Sequence, residues 1–486
     1  MNQLKKYRHW LIVIVVTIII SISNRGFVLA QPVSHYTDLQ YPPLPEIQLP
    51  EYERYTLSNG MVVYLMEDHQ LPLVTGRALI RTSSTVEPDN LRGLANITGN
   101  LMRTGGTKNY TKSEIDGILE LKSASVESAI GLNSGSVSFD SLSFDLPIVF
   151  DLFTEVLRYP VFNEDFLDFE KSQVKGAISR RNDNPGNIAS REFRQLVYGE
   201  NSPYARNVEY ATVDNISRDD VINFYGRDVR PSNIILGIVG DFQPQQIKQL
   251  IESKFADWQV NSTPALTSVA TPTQATDGGI YLVDQPQSTQ SNILLGHLGG
   301  KLSDANYPTL TVINGILNGF GGRLHNEVRS KQGLAYSVYG VWSANYDYPG
   351  IFIAGGQTKT ESSGDFIKAI NTEIERLRTE KITPADLDYA QNSILNSFVF
   401  QFQTLSQTLS RLLTYEYYDY PQDFIFDYQK QVKTTTIENV YQVAQRYLMP
   451  EKMVTLIVGN AEVVKPSLES FNQEINLIDV SIPNNG

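Results

Sequence analysis

The chain of 486 residues contains no cysteine. Disulfide bonds, thiolate zinc sites, iron–sulfur clusters, thiol nucleophiles and a cysteine-linked lipid anchor are therefore excluded. Histidine is also scarce, and the five histidines are His9, His35, His69, His297 and His325. No two of them are spaced as a local metal-binding motif requires. Acidic residues outnumber basic ones by 53 to 40, and the resulting formal charge of −13 opposes binding to nucleic acid.

The N-terminal thirty residues have the pattern of a targeting signal. Residues 1–8 are short and basic, an apolar run occupies 11–23, and small residues around Ala30 suit an export peptidase. The run is shorter than the roughly 20 residues that a membrane-spanning helix needs. The sequence predicts a signal peptide over 1–30 and an exported, periplasmic or extracellular body. The alternative is an uncleaved membrane anchor over 10–29. We expect contact with a membrane only through this segment, and only if it is not cleaved.

Composition divides the remaining chain into two blocks of similar length. A proline-rich lead-in covers 31–50, and a second break, rich in Thr, Pro and Ser, covers 259–278. We expect an N-terminal domain over 51–258 and a C-terminal domain over 279–474. A short tail, 475–486, follows the second domain.

The two blocks end in the same order of elements, which indicates a duplication. In each block a helix with capping residues runs to a proline, and the proline is followed by a continuous apolar strand. Pro450 follows Pro231 by 219 positions, and the strand ends, Gly240 and Gly459, are separated by the same 219. Two domains of mixed strands and helices, each with its own sheet, are the predicted fold.

Helical and strand patterns fill both blocks. The hydrophobic spacing predicts helices over Asn96–Met102, Ser113–Leu121, Pro147–Leu157, Asp165–Arg180, Tyr307–Leu317, Gly364–Leu377, Pro384–Asn396 and Ser406–Leu413. Strands are predicted over Leu73–Arg81 and Ile293–His297, and the Asn-Gly pair within Tyr55–Glu67 predicts a hairpin.

Few residues suggest chemistry by themselves. The sequence has no Gly-x-Ser-x-Gly elbow and no phosphate-binding loop. In Leu317–Tyr339 a glycine-rich stretch precedes a short helix and then a strand, so that Arg329 and Tyr336 could point into one cleft. Such donors suit a carboxylate or a peptide carbonyl. On spacing alone, however, a solvated arginine and a half-buried tyrosine are the favoured interpretation.

The run Gly-Arg-Leu-x-x-Glu-Val-Arg-x-x-x-Gly-Leu-Ala-Tyr-Ser-Val, from Gly322 to Val338, resembles a signature of the insulinase/pitrilysin family of zinc peptidases. Processing peptidases and respiratory-complex core proteins are similar. A second run, Arg92–Ala95 followed by Gly105–Thr107, resembles the frame of that family's zinc motif. The resemblance covers 51–474 and implies an α+β fold. It implies two homologous domains, each a mainly antiparallel sheet packed with helices, in a clam-like arrangement.

Inside this frame the catalytic residues of the family are missing. Asn96 and Asn100 stand where active members have the two histidines of His-x-x-Glu-His, and Gly99 stands in place of the glutamate base. The third ligand, a glutamate in active members, falls at Gly176 or Ala177. None of these residues suits zinc, so we expect no metal, no other cofactor and no general base in this chain.

In two-chain members of the family, one subunit carries the zinc motif and the other supplies an Arg/Tyr pair. The retained Arg329 and Tyr336 therefore imply an exported, non-catalytic subunit of a heterodimeric zinc metallopeptidase, inactive alone. They would bind the peptide substrate and support its carbonyl beside the zinc of a paralogous His-x-x-Glu-His subunit. The segment Ser123–Phe139 corresponds to the edge strand with which active members pair substrate.

Two alternatives remain open at this point. The first is a catalytically dead scaffold or peptide-binding protein similar to the respiratory-complex core proteins. The second is a self-sufficient peptidase with unfamiliar ligands, for which Asn96, Asn100 and one of His297 or His325 make a poor set.

Overall fold

The structure is a computed structural model that describes residues 48–259 and 269–483. The predicted signal peptide, the lead-in as far as residue 47 and linker residues 260–268 lie outside the described residues. Within the two described ranges, no helix is both long enough and apolar enough to cross a membrane.

Residues 53–240 contribute the first six-stranded sheet. Its strands are β1 (Glu53–Thr56), β2 (Val62–Glu67), β3 (Leu73–Ile80), β4 (Ser125–Ile130), β5 (Gly135–Leu142) and β6 (Ile234–Gly240). Their order is β1-β2-β6-β3-β5-β4, and all neighbours are antiparallel except the parallel pair β2–β6. The predicted hairpin is β1–β2, and Gly60 in its turn has φ +91°, a conformation that favours glycine.

Residues 279–477 contribute the second sheet, which has nearly the same topology. Its strands are β7 (Gly279–Asp284), β8 (Gln290–Leu298), β9 (Ala335–Ser343), β10 (Ile351–Lys359), β11 (Val454–Gly459) and β12 (Ile475–Leu477). The order is β12-β7-β11-β8-β10-β9, and the parallel pairs are β7–β11 and β7–β12. The sheets differ at one edge: β1 comes from the start of its half, whereas β12 comes from the segment predicted as a tail.

Helices pack on both sheets. They are α1 (Leu94–Thr104), α2 (Lys112–Lys122), α3 (Leu146–Arg158), α4 (Glu164–Ser179), α5 (Pro185–Tyr198), α6 (Tyr210–Asp214), α7 (Arg218–Asp228), α8 (Pro244–Phe255), α9 (Tyr307–Leu317), α10 (Ser363–Thr379), α11 (Pro384–Phe398), α12 (Leu405–Tyr417), α13 (Phe424–Thr434), α14 (Ile437–Tyr447) and α15 (Ala461–Leu468). Each half has its own hydrophobic core, built by one face of its sheet and the helices on that face. These contacts give the two-domain α+β fold that the sequence predicts.

The repeated helix–proline–strand order is present at both predicted places. Ser217 caps α7 and Thr436 caps α14, each with its side chain accepting a backbone N–H of the first turn. Pro231 and Pro450 then open short 3₁₀ turns that lead into β6 and β11. Every residue of these two strands is buried, as expected for strands that are third in a six-stranded sheet with helices on both sides.

The halves exchange one helix each. Helix α5, from the first half, packs on β8 and β11 of the second sheet, where Phe193 joins an apolar cluster with Leu294 and Leu456. Helix α12, from the second half, packs on β2, β3 and β6 of the first sheet, where Leu413 contacts the strand at Gly237. Each exchanged helix therefore covers the sheet face opposite the core of the other half.

Candidate functional site

Helix α1 carries the positions where the resemblance places the zinc motif. The turn before it contains Gly93, whose φ of +104° is accessible to glycine at little cost. The buried carboxylate of Glu87 accepts hydrogen bonds from the backbone N–H groups of Gly93 (3.1 Å) and Ala95 (2.9 Å). Burial raises the pKa of Glu87 despite these bonds. Glu87 thus fixes the start of the helix, a role that the sequence did not reveal.

Gly99 lies directly against the edge strand β4. A Cβ atom at this position would be 2.7 Å from the carbonyl carbon of Ala129 and closer still to the amide nitrogen of Ile130. The Ser128 hydroxyl also donates a hydrogen bond to the Gly99 carbonyl, at 2.6 Å. Helix and strand are in backbone contact here, so the position expected for the general base has no room for a side chain.

Asn100 is held by a carboxylate that the sequence analysis did not identify. Its Nδ2 donates to Glu170 Oε2 at 3.0 Å, and the Thr104 hydroxyl donates to Glu170 Oε1 at 3.2 Å. Glu170 is 7% exposed and lies on α4, which packs on α1. A carboxylate on the apolar stripe of α4, three residues after Leu167, was the available sequence signal.

The remaining positions of the expected zinc site carry no ligand. Asn96 is exposed at the rim of a cavity of about 350 Å³, and Ala177 is exposed on α4 beside Gly176. Across residues 48–259 and 269–483, no group of three or more His, Asp or Glu side chains is arranged to hold a metal ion. With two amides, a glycine and an alanine, the donor set does not fit zinc.

The two histidines considered as replacement ligands lie elsewhere. His297 is fully buried in the second half, where Nδ1 is 2.8 Å from the Leu298 carbonyl oxygen and Nε2 accepts the Met449 N–H. Burial lowers the pKa of His297, so it is a neutral core residue. His325 packs edge-on against Phe320, with ring centroids 5.2 Å apart. These positions give no support to a self-sufficient zinc peptidase.

Arg329 and Tyr336 are brought together in the second half. Arg329 lies in a π-helix, His325–Lys331, a rare conformation that often occurs at functional sites. Gly333, at φ +64°, ends this turn, and Tyr336 follows on β9. The guanidinium carbon of Arg329 is 4.6 Å from the centroid of the Tyr336 ring, which is a cation–π contact.

Tyr336 of this pair is exposed to solvent, and Arg329 is half-buried. Tyr336 is 83% exposed, which is unusual for so large a side chain on a strand. The guanidinium of Arg329 forms no hydrogen bond or ion pair with another described residue, whereas Arg323 in the same motif donates to Asp386 at 3.0 Å. Arg329 therefore keeps its planar set of donors free, and Tyr336 adds a hydroxyl next to it.

The glycine-rich loop before the π-helix is hydrogen-bonded to α11 and packs against it. The backbone N–H of Gly321 donates to the Tyr389 hydroxyl at 3.0 Å, and a Cβ at residue 321 would lie 2.6 Å from the Tyr389 ring. Together with the Arg323–Asp386 contact, this holds the loop while leaving Phe320 83% exposed. The π-helix that carries Arg329 thus starts from a fixed point.

Comparison with known proteins agrees with this fold. The family model described as "Insulinase (Peptidase family M16)" matches residues 62–207, and the model described as "Peptidase M16 inactive domain" matches residues 215–394. An uncharacterized zinc protease of Streptomyces coelicolor is 24% identical over 315 residues, 63% of this chain and 68% of its own length. A non-peptidase homolog of Helicobacter pylori is 21% identical over 404 residues, 81% of this chain and 90% of its own length.

Solved structures show the same fold. A peptidase M16 inactive domain from Pseudomonas fluorescens superposes with a TM-score of 0.76 at 24% identity, over 85% of this chain and 98% of that chain. The periplasmic protease PqqL of Escherichia coli gives a TM-score of 0.70 at 16% identity, over 89% of this chain and 49% of that chain. The two family models together span more than half of the sequence, and the chain belongs to the insulinase family, peptidase family M16.

Proposed function

We propose that the protein is an exported, non-catalytic subunit of a heterodimeric zinc metallopeptidase. The partner is a paralogue that carries His-x-x-Glu-His, binds the zinc and hydrolyses peptides. This chain, with domains over 51–258 and 279–474, supplies Arg329 and Tyr336, which bind the substrate and polarise its scissile carbonyl. Export rests on the signal pattern of residues 1–30 and is in keeping with a periplasmic protease of the same fold.

The stacked pair of half-buried Arg329 and exposed Tyr336 carries this proposal. An arginine that only stabilises its own chain usually bonds a carboxylate or carbonyl, as Arg323 does with Asp386. Arg329 instead rests on the Tyr336 ring with its N–H groups directed to no described residue. The stack restricts both side chains before a ligand arrives, which lowers the entropy cost of binding a carbonyl oxygen.

The absence of suitable zinc ligands supports the part of the proposal that makes this subunit non-catalytic. The Helicobacter relative that matches over 404 residues is itself called a non-peptidase homolog, and the second family model is that of an inactive domain. Backbone contact at Gly99 leaves no space for a base, so hydrolysis requires a second chain.

A scaffold or peptide-binding protein is the second candidate function. The contact between Gly99 and β4 also favours this candidate. Because the contact leaves no room for a general base, it is compatible with a complete loss of peptidase activity. The two candidates differ in what accompanies the protein. Only the subunit proposal requires a zinc-bearing paralogue of similar size.

Purification of the natural complex separates the candidates. The full-length protein would be isolated from its native host under non-denaturing conditions, followed by metal analysis and a peptide-cleavage assay. We expect a second chain of similar size, one zinc per pair and cleavage of unfolded peptides. A lone, metal-free and inactive chain would refute the subunit proposal and favour the scaffold.

Substitution of Arg329 tests its role within that complex. We expect Arg329→Ala to lower turnover by about 100-fold, the usual effect of removing one carbonyl-stabilising donor, without dissociating the subunits. Arg446→Ala is the matched control, because Arg446 forms a similar cation–π contact with Tyr447 at 5.4 Å outside the proposed site. Unchanged turnover in Arg329→Ala, with the complex intact, would remove Arg329 from the mechanism.

A further inference from the structure

A cleft of about 560 Å³ lies beside Tyr336, between α5 of the first half and strands β8, β9 and β10 of the second. Both halves of the chain therefore build it. Gly333 and Gly356 are among its lining residues, and most of its polar side chains are on the three strands, with Ser190 on α5.

The cleft has a cationic end and contains no acid. None of its lining residues is an aspartate or glutamate, although the chain has 53 acidic residues. The amino group of Lys359 is exposed and makes no hydrogen bond or ion pair with any residue in the described ranges. Arg329, stacked on Tyr336, is a second cation without a carboxylate partner there. Two uncompensated cations next to an acid-free cleft attract an anionic group.

The register of the strands places Lys359 and Tyr336 on the same face, on either side of one pair of opposed residues. Thr358 on β10 is opposite Ala335 on β9, and its hydroxyl donates to the Leu334 carbonyl at 2.6 Å. Because the two strands are antiparallel, Lys359 and Tyr336 lie on opposite sides of this pair, and both are on the exposed face of the sheet. A bulge between Gly356 and Thr358 interrupts the pairing next to these residues.

The middle of the cleft offers amide groups in a fixed arrangement. Gln357 Nε2 donates to Asn292 Oδ1 at 2.9 Å. This bond orients both side chains and leaves the Gln357 oxygen and the Asn292 NH₂ without another partner among the described residues. One free acceptor and one free donor side by side match the N–H and C=O of a peptide group.

We propose that this cleft binds a peptide through a carboxylate, with Lys359 as its charge partner and the Gln357–Asn292 pair on the adjoining peptide group. The inference deepens the proposed function, on which it rests, by naming the substrate class as peptides that carry a carboxylate near the bound segment. A C-terminal carboxylate and an acidic side chain share this chemistry.

Binding to the purified full-length chain tests the proposal without a partner. Three fluorescein-labelled peptides of about eight residues would be compared by anisotropy: one with a free C-terminal carboxylate, its C-terminal amide, and the amide with one internal glutamate. We expect the free acid, the glutamate peptide or both to bind about tenfold more tightly than the plain amide, the effect of one charge-assisted hydrogen bond. The peptide that gains affinity identifies the source of the carboxylate.

Lys359→Gln should abolish that preference, whereas Lys430→Gln should retain it. Lys430 is an equally exposed lysine on α13, away from the cleft, and its amino group has no described partner. Equal affinity for all three peptides, no binding of any, or an unchanged preference in Lys359→Gln would overturn the inference. None of these results affects the requirement for a zinc-bearing partner, so the two proposals fail separately.

Discussion

At the scale of single residues, the structure adds a steric obstacle to the unsuitable donors at the expected zinc site. Replacing histidine by asparagine at 96 and 100 removes zinc affinity, but these changes alone would leave a site of the same shape. Gly99 changes the shape, because helix α1 meets the backbone of β4 at this residue. Glu170, which accepts a hydrogen bond from Asn100, lies on α4, which also packs on α1. The residues that are unsuitable for zinc and the residue that leaves no room for a side chain are therefore neighbours on α1.

Rebuilding the motif should fail for this steric reason. In a variant with Asn96→His, Gly99→Glu, Asn100→His and Ala177→Glu, we expect no stoichiometric zinc. Gly99→Glu alone should lower the free energy of unfolding by about 3 kcal/mol, as for overpacked cores. Chemical denaturation and metal analysis provide the measurements.

The single variant Asn96→His is the control for the rebuilt motif. Asn96 is exposed, so its replacement should change the free energy of unfolding by less than about 0.5 kcal/mol. Zinc binding by the fourfold variant at wild-type stability would show that α1 and β4 separate easily, contrary to our interpretation.

The resemblance places two ligand positions at Asn96 and Asn100 and the base position at Gly99, and these assignments stay predictions. Sequence reasoning missed Glu87 and Glu170 for a physical reason. Each is a single buried carboxylate, and its burial depends on partners distant in sequence or on backbone N–H groups. The hydrophobic periodicity of a sequence shows which face of a helix is apolar. It does not show whether a polar residue on that face finds hydrogen-bond partners in the fold.

At the scale of elements, local patterns predicted most helices and strands. The expected helix Tyr307–Leu317 agrees with α9 at both ends, and the expected Leu73–Arg81 agrees with β3 to within one residue. The exchange of α5 and α12 was not predictable in this way. An amphipathic pattern shows that a helix buries one face, but it does not identify the sheet that receives it.

One edge strand of each sheet, β4 in the first and β9 in the second, is hydrogen-bonded to side chains of an adjacent helix or its end. Asn314 of α9 and Asn318, which follows the helix, each accept an N–H and donate to a C=O of β9, at Trp342 and Gly340 respectively. On the first sheet, the Arg103 side chain of α1 donates to a carbonyl of β4. Peptide binding by strand addition is blocked at these groups, so recognition of a peptide depends more on side chains.

Helix α12 is attached to the first sheet by a polar contact that should depend on pH. Arg54 donates to the Glu416 carboxylate at 2.6 Å and 3.1 Å, and the buried Tyr64 hydroxyl donates to it at 2.7 Å. The hydrogen bonds from Arg54 hold the pKa of Glu416 below its ordinary value. A carboxyl with a lower pKa in the folded state stabilises the protein above its unfolded-state pKa and loses this contribution in acid.

We expect Glu416→Gln to be less stable than the wild type at pH 7. The difference in the free energy of unfolding should shrink as the pH falls below the ordinary glutamate value of about 4.5. Urea denaturation of both proteins at several pH values measures it. Glu375→Gln, at an exposed ion pair within α10, should show a much smaller difference at pH 7. A pH-independent difference for Glu416→Gln would mean that shape, rather than charge, attaches α12.

At the scale of the whole molecule, the exchanged helices join the two halves. Phe193 of α5 lies over Gly296 of the second sheet, and Leu413 of α12 lies over Gly237 of the first, so glycines in the strands make room for large apolar side chains. The linker connects the two halves covalently. The apolar clusters around Phe193 and Leu413 contain no linker residue, so their packing does not require an intact linker. The halves should therefore behave as one body after the linker is cut.

A protease site inserted within residues 260–268 tests this expectation. After complete cleavage, the two fragments should elute together in gel filtration at the size of the intact chain, because each still covers a sheet face of the other. Adding Leu409→Asp and Leu413→Asp buries two unpaired carboxylates under α12, which should separate or unfold the fragments. The same double substitution in the uncut chain should lower stability without changing the elution volume, since the linker still joins the halves. Separation of unmodified fragments after cleavage would show that the linker, and not the exchanged helices, holds the molecule together.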